Sequence, residues 1–320
     1  MQETKSFFYT YEKYLTKLIT LESEPMTKLT VNTVGIIAKT RLDEIAVVVG
    51  EVKEWLLKHG VSVVVENETA KLLQEQQIET CLRDKLPAVS DLILVLGGDG
   101  TLLGVAGLVA KNRSSVPLLA VNFGSLGFLT ETTLPELYKS LESVISGTAR
   151  IDERRMLRAQ VIRENKVIVD RTALNDIVLS KAALSNIIDF AITLGDHFVM
   201  SSRADGLIIA SPTGSTAYNM AAGGPIVHPT VDALLVTPIA PHTLTNRPIV
   251  IPTDSTLCVT PTLNGPHQSA YISFDGQFGL ELSPGDNISI EKSDHTLKVV
   301  SAESRNYFAV LREKLRWSKR

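Results

Sequence analysis

Residues 91–112 read DLILVLGGDGTLLGVAGLVAKN: a short apolar run, a glycine-rich turn, then a stretch of small helix formers. DLILVL (91–96) has the length and composition of a fully buried strand. Gly97, Gly98 and Gly100 fall where the next helix must begin. Glycines at such a turn permit positive φ and remove the Cβ atoms that would hold a ligand away from the backbone. The helix beyond aims free N–H groups and the positive end of its dipole at the same spot, which suits phosphate. A carboxylate there repels phosphate at short range, so Asp99 points to a group that accepts a proton or helps hold a cation. The competing reading makes Asp99 a plain turn or cap residue. The spacing Gly98-x-Gly100-x-x-x-Gly104 departs from the dinucleotide fingerprint, and the next strand closes with Asn122-Phe123-Gly124 rather than an acid. Hydride-transferring Rossmann chemistry is disfavoured on that ground, and the absence of G-x-x-x-x-G-K-[ST] excludes a Walker P-loop.

Outward from this unit, short β-branched runs alternate with helical patterns. VGIIA (34–38) precedes a helical stretch to His59, in which Ile45, Val48, Val49, Val52 and Leu56 recur at three- and four-residue spacing. VSVVV (61–65) precedes an amphipathic stretch, and PLLAVN (117–122) precedes a helix around Leu134–Ile145. This alternation predicts a parallel sheet covered on both faces. After Gly147 strand-like runs dominate: RAQVIR, VIVDR, IIDFAITLG, HFVMSS, GLIIAS, STLCVTP and NISIEK. The expected organisation is an extension over 1–30, an α/β domain over 31–148, a β-rich domain over 149–300 and a terminal segment over 301–320. The basic LREKLRWSKR end reads as a solvated helix.

Composition narrows the chemistry. At 320 residues the chain has room for roughly two domains. With 32 basic and 35 acidic side chains, it carries no global positive field for nucleic acid or an anionic membrane, so any bound anion must be held locally. Cys81 and Cys258 are too far apart for a metal motif and read as reduced thiols. The six histidines are scattered singly, which argues against a built-in transition-metal site. No run approaches a transmembrane span, and the first thirty residues lack an apolar signal-peptide core, so the expected compartment is the cytoplasm.

Two further stretches carry polar groups into strand-like surroundings. ALNDIVLS sets Asn175 and Asp176 side by side, which is either a turn signal or a polar pair at a strand end. ADGLIIASPTGSTAYNMAAGGP (204–225) flanks a buried strand with Asp205-Gly206 before it and Pro212-Thr213-Gly214-Ser215-Thr216 after it, followed by Ala217-Tyr218 and a small-residue helix. Hydroxyls, a tyrosine ring and free N–H groups on one strand-to-helix loop suit a nucleoside. Asp176 accepting from ribose hydroxyls follows the logic of dinucleotide sites. SFDGQ (273–277) repeats the Asp-Gly pair and alone reads as a hairpin turn.

LGGDGTLL (96–103), NFGSLGFLTE (122–131), LNDIVLSK (174–181), ADGLIIASPTGSTAYNMAAGGPIVHP (204–229), TPIAPHTLTNRPIV (237–250) and SFDGQ together closely resemble the NAD kinase family, in family order and over nearly the whole chain. The resemblance implies a parallel-sheet domain followed by a β-rich domain. It implies transfer of the ATP γ-phosphate to the adenosine-ribose 2′-hydroxyl of NAD⁺, with Mg²⁺ held mainly by the ATP phosphates and polyphosphate as another possible donor. In this frame Asp99 takes the 2′-hydroxyl proton, and Gly100 shares that contact. Asn175 and Asp176 bind the ribose and nicotinamide side, although many members carry the longer Glu at the second position. Asn186 stands where some members have a His or Arg that reaches substrate. Arg203, Asp205, Thr213, Thr216, Ala217, Tyr218, Asn219, Met220, Ala221, Ala240 and Gln277 complete the nucleotide pocket, and Phe123 packs on adenine. The family frame also implies a homodimer or homotetramer in which a neighbouring subunit lends residues to the site, with the C-terminal segment returning to the first domain. A GGDG-type lipid kinase and a non-catalytic NAD(H)-sensing module remain as alternatives. The first would need a membrane-facing element that the sequence does not display.

Overall fold

The computed structural model describes residues 30–39, 44–73, 78–124, 126–182, 185–243, 245–263, 268–302 and 305–317. The expected 1–30 extension lies outside them apart from Thr30. The first half runs β1 (Thr33–Ala38), α1 (Ile45–Lys58), β2 (Ser62–Glu66), β3 (Thr80–Cys81), β4 (Leu92–Leu96), α2 (Asp99–Lys111), β5 (Leu118–Asn122), β6 (Thr132–Thr133) and α3 (Leu137–Ser146). The periodic residues Ile45, Val48, Val49, Val52 and Leu56 form the buried stripe of α1, as their spacing requires. All five residues of β4 are buried, because helices cover both faces of the sheet. Between β2 and β3 the described residues hold one helical turn, Asn67–Ala70, where the pattern predicted a longer amphipathic stretch.

The second half runs β7 (Ile151–Arg163), β8 (Lys166–Ala173), β9 (Asp176–Lys181), β10 (Ile188–Leu194), β11 (His197–Ala204), β12 (Gly206–Ala210), β13 (Ala233–Ile239), β14 (Ile249–Pro252), β15 (Leu257–Thr262), β16 (Ala270–Phe274), β17 (Phe278–Glu281) and β18 (Asn287–Val300), then α4 (Tyr307–Leu315). Six of these strands form an antiparallel sheet in the order β14-β13-β12-β9-β16-β17. Its inner face, including Ile177, Leu179, Leu207 and Ile209, packs on Val259, Ile288 and Ile290 of the other sheet. Val178, Ile208, Ala210 and Leu235 form a smaller cluster on its opposite face, which is why β12 is buried throughout.

The other sheet is continuous across the expected boundary at 148/149: β11-β10-β15-β18-β5-β4-β1-β2-β3, with β7 alongside β18 and β8 alongside β7. Fourteen residues give β18 a reach of about 46 Å. It runs antiparallel to β7 and lies parallel to β5 at Val299↔Leu118. The parallel strands run β5-β4 on one side of β1 and β2-β3 on the other. Such a reversal opens a crevice at the carboxyl ends of β1 and β4, and Gly97 follows β4 there.

Candidate active site

Gly98 caps α2 in an extended conformation, and Asp99 is the first helical residue. None of Gly97, Gly98 and Gly100 has positive φ, so contrary to the sequence-based expectation the turn uses no left-handed backbone at these glycines. A Cβ at Gly97 would stand 2.6 Å from the Thr101 hydroxyl, whereas one at Gly98 or Gly100 would meet nothing within 4 Å. Packing explains the first glycine. Open space over the other two is what remains for a close-approaching ligand.

Asp99 is engaged more heavily than a turn residue. Oδ1 accepts from Leu129 N (3.2 Å), Thr130 N (3.0 Å) and Thr130 Oγ1 (2.8 Å), and Oδ2 accepts from Phe128 N (2.9 Å). Gly127 makes this seat possible, since a Cβ there would lie 2.0 Å from Asp99 Oδ1. Oδ2, with one donor, keeps acceptor capacity that Oδ1 lacks. Phe123 directly follows the neighbouring strand β5, where Gly97 N donates to Val121 O at 2.9 Å, and is partly buried against the first core.

Asn175 and Asp176 sit buried at the start of β9. Their backbone is carried by Asp275, whose carboxylate accepts from Leu174 N (2.7 Å), Asn175 N (2.7 Å) and Asp176 N (3.1 Å). Asp275 and Gly276 both have positive φ, as the central residues of a tight hairpin turn. Burial pushes the Asp176 carboxyl up to about 7, and the charge of Asp275 adds to the rise. Burial also raises Asp275, with its three amides pulling the other way.

The loop after β12 folds onto the same segment. Ser211 N donates to Asn175 O (2.9 Å), and Gly214 lies so close that a Cβ would stand 2.0 Å from that oxygen. In place of the expected helix the chain forms a 3₁₀ turn, Thr213–Thr216, and one helical turn, Tyr218–Ala221, which ends near Gly223 at φ 85°. Its amides are largely spent internally: Gly214 N on Ser211 Oγ, Ser215 N on Pro212 O, Ala217 N on Gly214 O. Asn219 is fully buried, donating to Ser215 O and Pro225 O and accepting from Thr237 Oγ1. Its side chain therefore braces the loop from beneath. Tyr218 and Ala221 are exposed, Ala217 and Met220 partly so, and Thr216 is buried with its hydroxyl on Thr213 O. Asn175 Oδ1 and Thr213 Oγ1 are buried and have no hydrogen-bond partner. Such atoms are costly unless something outside the chain satisfies them.

The two motif regions meet. Leu174 shares a core cluster with Leu102 and Leu129, which flank Asp99 and its partner loop, and Gln277 Oε1 lies 3.5 Å from where a Gly104 Cβ would stand on α2. Asn186, Arg203, Asp205 and Ala240 form a different group. Asp205 N donates to Ile239 O, Lys181 N to Asp205 O and His242 N to Arg203 O. That is the Lys181 end of β9, about 16 Å along the strand from Asp176. Arg203 is exposed and only loosely paired with Asp189 at 3.8 Å, Asn186 is exposed, and Ala240 is held at φ 43°, unusual for a residue with a side chain.

Comparison with known proteins bears on this arrangement directly. The family model of the ATP-NAD kinase N-terminal domain matches residues 34–149, and that of the ATP-NAD kinase C-terminal domain matches 174–302. An NAD kinase of Geotalea daltonii is 44% identical over 287 residues, covering 90% of this chain and 99% of that protein. This chain belongs to the NAD kinase family. An NAD kinase of Koribacter versatilis is 41% identical over 289 residues, again 90% of this chain and 99% of that protein. The crystal structure of yeast NADH kinase complexed with NADH superimposes with a TM-score of 0.83 at 26% identity, covering 91% of this chain and 89% of that one. An Archaeoglobus fulgidus NAD kinase shares the fold, with a TM-score of 0.69. The lipid-kinase alternative falls with this membership.

The NAD kinase frame also locates what residue-by-residue reading missed. The seat of Asp99 at Gly127–Thr130 lies inside NFGSLGFLTE, where the sequence points to Phe123 alone. Asp275 reads in the sequence as a turn residue and is in the structure also the anchor of Asn175 and Asp176. A Gly-x-x-Thr following the GGDG strand pair was the only available signal for the first; nothing local marked the second.

Proposed function

We propose that the chain phosphorylates NAD⁺ at the 2′-hydroxyl of its adenosine ribose with ATP, yielding NADP⁺ and ADP. Three observations in the two adjoining motif regions carry this reading. They are the open backbone at Gly98 and Gly100, an Asp99 oxygen with spare acceptor capacity, and two orphaned buried polar atoms in the neighbouring segment, Asn175 Oδ1 and Thr213 Oγ1. A dinucleotide offers amide and hydroxyl donors to the asparagine oxygen and acceptors to the threonine hydroxyl. A ribose hydroxyl is a poor nucleophile at neutral pH, so an oriented carboxylate matters: Asp99 Oδ2 takes the proton as the oxygen attacks the γ-phosphorus and ADP leaves. Catalysis is then chiefly positioning, with α2 amides facing the transferred group.

Among the described residues no three acidic, histidine or cysteine side chains cluster as a metal cage. Asp99 beside phosphate oxygens is nonetheless a donor set that fits a hard divalent cation such as Mg²⁺, which would neutralise charge on the phosphates. The separation of about 16 Å between Asp176 and the Arg203–Asp205–Ala240 group supports a homodimer or homotetramer in which that group serves a neighbouring copy's dinucleotide. A cytoplasmic place of action suits a reaction that consumes ATP and NAD⁺, and no described helix is long and apolar enough to cross a membrane.

The test is a coupled NADP-formation assay pairing ATP or polyphosphate with NAD⁺ or NADH. NADP from ATP and NAD⁺ is expected; NAD binding with no product from any pair would leave only a nucleotide sensor.

A further inference from the structure

We propose that the C-terminal helix α4 is a positioning strap, anchored by Arg305 and Tyr307, that fixes the loop seating Asp99 relative to the loop carrying Thr213. The inference rests on the role of Asp99 given above.

At one anchor, Arg305 Nη1 donates to Glu131 O (3.1 Å) and to both oxygens of Glu136 (3.0 and 2.7 Å). Glu131 directly follows Thr130, whose amide and hydroxyl hold Asp99 Oδ1. The carbonyl gripped by Arg305 and the donors gripping Asp99 thus belong to adjacent residues. The Glu131 side chain is pinned from within by the buried Arg154 at 3.5 Å, so the loop is held from both sides.

At the other anchor, Tyr307 OH donates to Val227 O at 3.2 Å. The same carbonyl accepts from Ser215 Oγ at 3.1 Å, and Ser215 belongs to the 3₁₀ turn with Thr213. The His228 ring stands edge-on to Tyr307, with centroids 4.8 Å apart. Along the helix, Lys314 Nζ lies 5.8 Å above the Phe128 ring, and Phe128 N donates to Asp99 Oδ2.

Core packing holds only part of this helix. Only Val310 and Leu311 are buried in it, while Phe308 and the following Trp317 are 56% and 60% exposed. What α4 contributes is polar attachment to the two loops whose spacing sets the distance from base to acceptor hydroxyl. Misplacement by about 1 Å costs as much as 10² in rate.

The experiment is a double-mutant cycle on kcat in the full-length protein, with KM for NAD⁺ and ATP measured alongside. Arg305→Ala is expected to lower kcat about tenfold with both KM values within about threefold, Arg305→Lys to recover part of the loss, and Tyr307→Phe to lower kcat severalfold. Because freeing either anchor slackens one strap, the double variant should be no slower than Arg305→Ala alone. Unchanged kcat in both single variants, or losses that multiply in the double, overturns the strap. Tyr307→Phe removes one hydroxyl and keeps the test open if Arg305→Ala fails to fold. Wild-type protein that forms no NADP overturns the functional reading and this inference together, whereas active wild type with multiplying losses overturns this inference alone.

Discussion

Asp99-Gly100 and Asp275-Gly276 place a carboxylate in nearly the same hydrogen-bonding environment, three backbone amides each, yet they face different surroundings. Asp99 adds the Thr130 hydroxyl, stands in the first turn of a helix, and looks out over glycines with nothing within 4 Å of their missing Cβ atoms. Asp275 sits in a left-handed hairpin turn and bonds the backbone that presents Asn175 and Asp176. A nest of amides therefore does not distinguish a reacting carboxylate from a scaffolding one. Open space beside a spare lone pair does.

The hardest test of that distinction is Asp99→Asn. Asparagine keeps one oxygen for the Gly127–Thr130 loop but cannot take a proton, so turnover should fall by about 10²–10⁴ with NAD affinity within about tenfold. Steady-state kinetics with a binding titration would show it. A variant that lost melting temperature and kept turnover would place Asp99 with Asp275 as scaffold. The converse variant, Asp275→Asn, turns an amide NH₂ toward donors that now meet a carboxylate. It should cost about 2–3 kcal/mol in denaturant unfolding and raise KM for NAD⁺ while changing kcat less than tenfold. A loss of turnover as large as that of Asp99→Asn would erase the contrast.

Sequence reading saw one side of each Asp-Gly pair. Strand β4, the glycine turn and α2 were legible because apolar run, glycines and helix formers are local, whereas Asn175-Asp176 read equally as a turn or as a strand end until β9 placed them. The partners of Asp99 lie about thirty residues onward and those of Asp275 a hundred residues back. Neither distance leaves a periodic trace. NISIEK read as an ordinary strand because the polar Ser293–His295 interrupts it; there the pairing of β18 with β7 shifts register and continues to Val300, merging the two expected sheets. The glycines misled in one respect, since open space rather than positive φ explains Gly98 and Gly100.

Gly100→Ala sharpens that last point. A Cβ there clashes with nothing in the chain, and Gly-to-Ala inside a helix gains up to about 1 kcal/mol, so thermal stability should hold or rise. If the space belongs to a nucleotide, turnover should nonetheless fall at least about tenfold, because the group occludes a close backbone approach. Full activity in a stabilised variant would leave Gly100 as an accident of sequence.

The smallest expected effect separates the two carboxylates by titration. Burial and the neighbouring Asp275 charge put the Asp176 carboxyl at about 7 in the folded chain, against 3.8 for an ordinary aspartate. The folded state therefore keeps a proton that the unfolded chain has released. Its stabilising contribution, fully present below 3.8, declines as pH rises through about 7. Between about pH 6 and pH 8 the loss should be about 1 kcal/mol, read as a falling denaturant midpoint. Asp176→Asn should flatten that slope by removing the titrating group. Asp275→Asn should shift it to lower pH by removing the charge that repels the Asp176 carboxylate, a readout independent of its effect on overall stability. An unchanged slope in Asp176→Asn would assign the proton to another group and remove the coupling between the Asp275 anchor and the residue it presents.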